Sequence, residues 1–357
     1  MTHPSEPQRD GAQRHTSADD GGVYNERTTL PRGLKLRDVP PPTTINMVLA
    51  AAILIVQPTL LLLADSASSW PAKIALGALF ALIGLPLYSL MHEGMHRCLH
   101  PNNRVNDLLG AALSALFPGP FSFLRATHTG HHRRNRTDAE MFDSYYPGQG
   151  KWRKRIQFYL VYTGLFWLSL PIATLLVLIW PAALRSRLIQ DAPAVSAMVN
   201  SVPTRFVRRV RTEAAIVVGV HLLLILVVGV HWTTWLLLYG MLGVLWSSQN
   251  YITHAFAPRH VMNGAYNLAA PKIWSLWLLN FNWHLAHHQH PAVPWIHLPQ
   301  LGDPTRDNPS YIGTFIRFWR GPQPATEPSP KELRRPVRAA FARDAGQPAP
   351  NPQSLLP

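Results

Sequence analysis

The chain has 357 residues, 47% of them hydrophobic, a formal net charge of +14 and one cysteine, Cys98. A lone cysteine excludes an intramolecular disulfide and any Cys-rich iron–sulfur or rubredoxin-type centre within the chain. The length suits one large domain or two, and the charge admits nucleic acid or a membrane surface as partner. The segregation of the residues separates these: apolar residues come in long uncharged runs, with Arg and Lys clustered between them, as in a polytopic membrane protein. No basic stripe on a soluble fold is apparent, so nucleic acid is not an expected partner.

Residues 1–44 are rich in Pro, Arg, Asp, Thr and Gly without apolar periodicity and read as a disordered tail. The first apolar run starts only at about Ile45, so no signal peptide is expected. A spanning helix needs about 20 mostly apolar residues. Ile45–Ala64 qualifies, the polar turn Asp65–Pro71 follows, and Ile74–Met91 returns and delivers His92 at its far end. Leu108–Leu124 is broken by Pro118-Gly119-Pro120, and Ile156–Trp180 by Pro171. Basic residues flank both runs at both ends, so a crossing would place one cluster outside, against the positive-inside bias. Both are therefore expected to be re-entrant or interfacial. Ala214–Asn250 lacks Asp, Glu, Lys and Arg and suits two spans meeting near His231-Trp232. Residues 45–320 then form one membrane domain with four transmembrane helices, and 321–357, rich in Pro, Arg and Ala, reads as a second disordered tail. Neither outer turn, Asp65–Pro71 nor His231–Thr234, contains Lys or Arg, which puts both termini on the cytoplasmic side.

Three histidine clusters lie on that side. His92 and His96 are spaced i, i+4; His128, His131 and His132 form HxxHH; His284, His287 and His288 repeat it. On a helix each set leaves one face, and neutral imidazole is the commonest side-chain metal ligand. His254 joins them at the end of the fourth span, with Asn250 four residues earlier and expected on the same helix face. Nine imidazoles exceed the shell of one ion, so two metals are the economical count. Zn, Cu, Fe and Ni all accept imidazole; a dinuclear site beside hydrocarbon favours iron, which can activate O₂ against an unactivated C–H bond. Glu93, Asp107, Asp138, Glu140 and Asp143 are candidates to orient ligand imidazoles. His100, His221, His290 and His297 fall outside the spacings and are expected in loop or packing roles.

The boxes His-Glu-Gly-Met-His (92–96), His-Thr-Gly-His-His (128–132) and His-Leu-Ala-His-His (284–288) resemble those of the membrane fatty acid desaturase superfamily over about residues 45–300. The resemblance implies an all-α integral membrane fold with a cytoplasmic helical di-iron cap. It also implies two non-haem irons held by the nine histidines, with Asn250 completing a shell through water, and O₂ as co-substrate. The implied reaction is desaturation of a fatty acyl lipid. A hydroxylase or ketolase of a lipid, alkane or carotenoid is the alternative, because Glu93 stands where many desaturases have Asp and a long segment follows box two. Electrons must come from a separate donor such as ferredoxin, rubredoxin or cytochrome b5, since neither a Cys-rich module nor a fused His-Pro-Gly-Gly cytochrome b5 stretch is present. His92–His96 also matches the HExxH pattern of a zinc membrane protease, which would leave both HxxHH boxes without purpose.

Overall fold

The computed structural model describes residues 33–303, 308–333 and 339–342. In chain order the helices are α1 (Thr43–Ser66), α2 (Trp70–Met95), α3 (Asn103–Leu116), α4 (Phe121–Arg134), α5 (Lys151–Leu160), α6 (Phe166–Ile179), α7 (Arg187–Gln190), α8 (Pro193–Val199), α9 (Val207–Leu222), α10 (Trp232–Asn250), α11 (Lys272–Trp277), α12 (His284–Gln289) and α13 (Tyr311–Phe318). The named strands, β1 (Ser144–Tyr145) and β2 (Gln323–Pro324), form one short parallel pair.

Four helical stretches are long and apolar enough to cross a membrane: Thr43–Ser66, Trp70–Met95, Lys151–Ile179 and Thr204–Val227. The number agrees with the expectation, but the membership differs. Trp232–Asn250 is absent from the set because both its first turn, Trp232-Thr233-Thr234-Trp235, and its last, Ser247-Ser248-Gln249-Asn250, lower its hydropathy; Lys151–Ile179 qualifies on length and composition.

Contacts at the two ends of the bundle decide how these helices run. At one end His231 meets Asp65, its backbone N–H donating to the carboxylate at 3.1 Å, and Lys73 donates to Thr234 at 3.4 Å. The α1–α2 turn and the start of α10 therefore share one end. At the other, Asn46 in the first turn of α1 donates to the Leu99 carbonyl at 3.0 Å and accepts from the Trp295 indole at 3.0 Å. The histidine boxes lie at this second end. Lys151–Ile179 is anchored there twice. Lys154 donates to the Met141 carbonyl at 2.9 Å, and Arg211, in the second turn of α9, donates to the Leu178 carbonyl at 3.4 Å. Between the anchors Gly164 adopts φ 133° and breaks the helix, and Trp167 stacks on Tyr239 deep in α10. The segment enters and comes back. The α3–α4 pair does likewise, bent by 98° across Phe117–Pro120. Arg125 then joins Asp107 at 2.6 Å and the Gly94 carbonyl at 2.9 Å, at the level of box one.

Helix α2 is the axis of the bundle. At 26 residues it extends about 39 Å, beyond the hydrocarbon thickness of about 30 Å, so its last turns emerge from it. Gly77 and Gly84 let α10 approach closely, since a Cβ at either would collide with Met241 or Leu242. Pro86 interrupts α2 and lacks the N–H that would bond the Leu82 carbonyl. The Trp277 indole supplies that bond at 3.2 Å and so ties the short helix α11 to the span.

Residues 1–32 of the expected N-terminal tail lie outside the described residues, as do 334–338 and 343–357 of the C-terminal one. The described parts of both touch the body at a few points. Val39 is buried with Ala286, Val293 and Leu298. Gln323 and Leu333 donate backbone hydrogen bonds to Asp143 and Arg133, and Phe341 is buried beside Phe123 and Val202. A few apolar residues and backbone bonds hold 321–333 and 339–342 against the body, although their composition reads as loose.

Candidate metal centre

The helices deliver histidines to one place by different means. Helix α2 ends there, with His92 in its last turn and His96 as its C-terminal cap. Helix α4 carries His128, His131 and His132. Helix α12 has six residues, too few to be stable alone. It is pinned in place: Asn267 accepts from the Ala286 amide at 3.1 Å, while neighbouring Asn282 donates to the Leu268 carbonyl at 2.8 Å. His254 comes from a turn after α10. The chain leaves the helix at Asn250, and Ile252 and His254 make i, i−3 bonds back to Gln249 and Tyr251. His254 therefore lies beyond the helix that Asn250 ends, contrary to the expectation of a shared helix face. Asn250 is the partly exposed last residue of α10.

The nine histidines gather in two groups. His92, His96, His128, His132 and His287 form one; His131, His254, His284 and His288 form the other. In each group one ring nitrogen from every histidine lies within 4.8 Å of those of the others. Each HxxHH box is divided in the same way. Its i, i+4 pair (His128/His132 or His284/His288) faces one centre, and its i+3 residue (His131 or His287) faces the other. The boxes on α4 and α12 thus each straddle both centres, a division that the spacing alone does not reveal.

The geometry fits metal ions. Nε2 atoms approach in pairs: His96–His128 at 2.7 Å, His128–His132 at 3.0 Å, His132–His287 at 3.0 Å and His131–His254 at 3.2 Å. Two ligand nitrogens about 2.1 Å from one ion and at right angles stand about 3 Å apart. The last pair is the most telling. His254 Nδ1 donates to the Gly264 carbonyl at 2.9 Å, and His131 Nδ1 is hydrogen-bonded to the Glu140 carboxylate. With protons on Nδ1, both neutral rings present bare Nε2 lone pairs to each other. A cation between them removes the repulsion. The buried His92 Nε2 and both ring nitrogens of His288 likewise have no hydrogen-bond partner, a cost that metal coordination offsets. Burial, reinforced by neighbouring histidines, holds His254, His287 and His288 well below the ordinary imidazole range, and His284 down to about 3. They stay neutral and ready to ligate.

The acids divide by role. Glu140 bonds His131, and its second oxygen accepts from Arg134 at 3.2 Å. Asp143 is fully buried and pairs with Arg136 at 2.7 Å. Asp107 pairs with Arg125 and Arg209, and Asp138 with Arg259. Glu93 accepts the Trp295 amide at 3.0 Å. That bond engages the residue an HExxH protease would use as general base, while three further histidines join His92 and His96. A single hydrolytic zinc has no use for them. His100 accepts the Asn102 amide in a loop, His221 pins Ala115 and Trp235 between helices, and His297 meets the Pro40 carbonyl. His290 is the C-terminal cap of α12.

A small cleft lined by Ser89, Glu93, Leu279, Phe281 and Leu298 reaches His92 and His287 of one group and His284 of the other. A family model described as fatty acid desaturase matches residues 68–319, which include all three boxes, His254 and the helices that carry them. The chain belongs to the fatty acid desaturase family. No curated protein matches it. Among the apolar helices of this family member, α1 lies wholly before the matched region, whereas α2 and every histidine of the two groups fall within it. It is a membrane protein of a family of oxidoreductases, with two histidine clusters able to hold metal.

Proposed function

We propose that this protein is an O₂-dependent membrane oxidoreductase that introduces a double bond into the hydrocarbon chain of a fatty acyl lipid. Two irons are held by the nine histidines, five at one centre and four at the other, with Asn250 acting through water. The observation that carries the reading is the pair of adjoining all-imidazole groups at the end of an apolar helical bundle. Bound there, two irons supply activation of O₂ and removal of hydrogen from an unactivated methylene.

The chain's own residues do the rest. A methylene offers no polar handle, so position must come from shape. The cleft touching both groups has apolar walls in Leu279, Phe281 and Leu298 and leaves room for about one water-sized molecule. An acyl chain reaching the histidines must displace those side chains. The boxes and both termini are assigned to the cytoplasmic side, because Arg and Lys cluster at the histidine end, whereas the two opposite turns carry none and Lys73 alone lies beside them. Electrons come from a separate ferredoxin, rubredoxin or cytochrome b5, as one buried cysteine provides no internal relay.

The test is expression in a host of defined lipid composition, with mass spectrometry of the extracted acyl chains. The expected product lacks two hydrogens and carries one located double bond, and it is absent with the His132→Ala variant. Unchanged acyl lipids in the presence of the intact, iron-loaded protein would reject an acyl substrate and favour a carotenoid or alkane.

A further inference from the structure

His254 is the one histidine of the two groups that no box supplies and no helix carries, yet its ring nitrogen must be placed as accurately as the others. The loop that follows box two surrounds it. Asn135 donates to the carbonyls of Val261 and Gly264 at 3.0 and 3.1 Å, and the Gly264 carbonyl accepts from His254 Nδ1. A Cβ at Gly264 would collide with Arg136 and the His260 carbonyl, so loop and turn are in direct contact. Three residues before His254, the Tyr251 hydroxyl lies 3.3 Å from an Asp143 carboxylate oxygen and donates to the Glu140 carbonyl at 2.9 Å. Two residues after it, the Phe256 amide donates to the other Asp143 oxygen. Phe256 has φ 58°, a left-handed conformation costly for a side chain of its size, so it needs an external restraint. Arg136 closes the arrangement, donating to both Asp143 and the Tyr251 hydroxyl at 2.7 Å.

We propose that Asp143 is the positioning residue of the four-histidine centre, its buried carboxylate holding the 251–256 turn at both ends, directly at the Phe256 amide and through Arg136 at the Tyr251 hydroxyl, so that His254 is presented to the metal. It acts through Tyr251 and Phe256 and touches neither substrate nor ion. The same loop carries Glu140, which orients His131, so one segment sets two of the four ligands at this centre. The five-histidine centre takes all its ligands from α2, the cap residue of α2, α4 and α12, and receives none from the loop. The inference rests on the two-metal reading above, and its distinguishing consequence is selectivity for one centre.

The test uses the full-length protein in detergent, loaded anaerobically with Fe(II). Iron per chain is counted, affinities are measured by chelator competition, and the ligand-field spectrum of the Co(II)-substituted protein is recorded. The variants are Asp143→Asn, which keeps the shape but sets an amide against Arg136 or Phe256, and Tyr251→Phe, which removes a single hydroxyl. The expected result is one ion held as in the wild type and one weakened by about 10- to 100-fold in Asp143→Asn, with a smaller loss in Tyr251→Phe. The Co(II) bands of the four-histidine centre alone should shift. Both ions retained at wild-type affinity, or both lost together, overturns the inference; should Asp143→Asn fail to fold, Tyr251→Phe decides on the same criterion. A wild-type chain that holds fewer than two ions overturns the two-metal reading itself, a failure visible before any variant is made.

Discussion

Replacing Glu140 by Gln isolates one hydrogen bond at the four-histidine centre. One carboxylate oxygen faces His131 Nδ1 and the other accepts from Arg134 at 3.2 Å. A glutamine has a single acceptor oxygen for these two donors. With that oxygen on His131, the imidazole keeps its tautomer but loses a charge-assisted bond, roughly twice as strong as a neutral one. With it on Arg134, the amide N–H₂ opposes the imidazole N–H, and the ring must change tautomer or turn away. The first outcome sits near the lower end of the usual effect of a ligand's hydrogen-bond partner on metal affinity, about tenfold, and the second near the upper end, about 100-fold. In free energy these are about 1.4 and 2.7 kcal/mol. The assay is anaerobic titration of Fe(II) against a chromophoric chelator in a His92→Ala/His96→Ala/His287→Ala background, where the five-histidine centre keeps only two of its ligands and the other reports alone. Affinity equal to that of the Glu140 protein in this background would refute the reasoning.

The division of the boxes gives an asymmetry. His288→Ala leaves three nitrogens at its centre and should bring iron close to one per chain, whereas His287→Ala leaves four and should retain more; equal losses would contradict the assignment. Trp277→Phe removes the indole bond to the Leu82 carbonyl and should destabilise the protein by about 0.5–1.5 kcal/mol in thermal unfolding. In a Pro86→Ala background, where residue 86 regains an N–H for that carbonyl, the same substitution should cost less. Single cysteines at Gly150 and Ala183 should both react with an impermeant reagent from the same side, while buried Cys98 stays silent; reaction from opposite sides would require Lys151–Ile179 to cross.

Much of the site was legible in the sequence, because the chemistry of metal binding imposes spacings that a helix converts directly into direction. His128, His131 and His132 need only local geometry to leave one side of α4. Their allotment to two centres depends on which helices approach that side, and no local pattern encodes this. His254 could be placed by its position at the end of an apolar run, but its relation to Asn250 could not, since the chain abandons the helix between them. Asp143 stood out only as one of five acids that could orient an imidazole, and Arg136 was unremarkable in a polar loop. Their value arises from contacts with Tyr251 and Phe256 more than a hundred positions along the chain. The course of Lys151–Ile179 shows the reverse: flanking charge pointed to a returning segment where length and hydropathy alone qualify it as a span.

The central claim, removal of two hydrogens from an acyl chain at the expense of O₂, is tested most directly under ¹⁸O₂. Cells expressing the protein are supplied with a defined saturated fatty acid, and their acyl lipids are analysed by mass spectrometry. The account requires a product lacking two hydrogens, with a located double bond and no ¹⁸O in the chain. An acyl product that retains its saturation and carries ¹⁸O would contradict it and make the protein a hydroxylase.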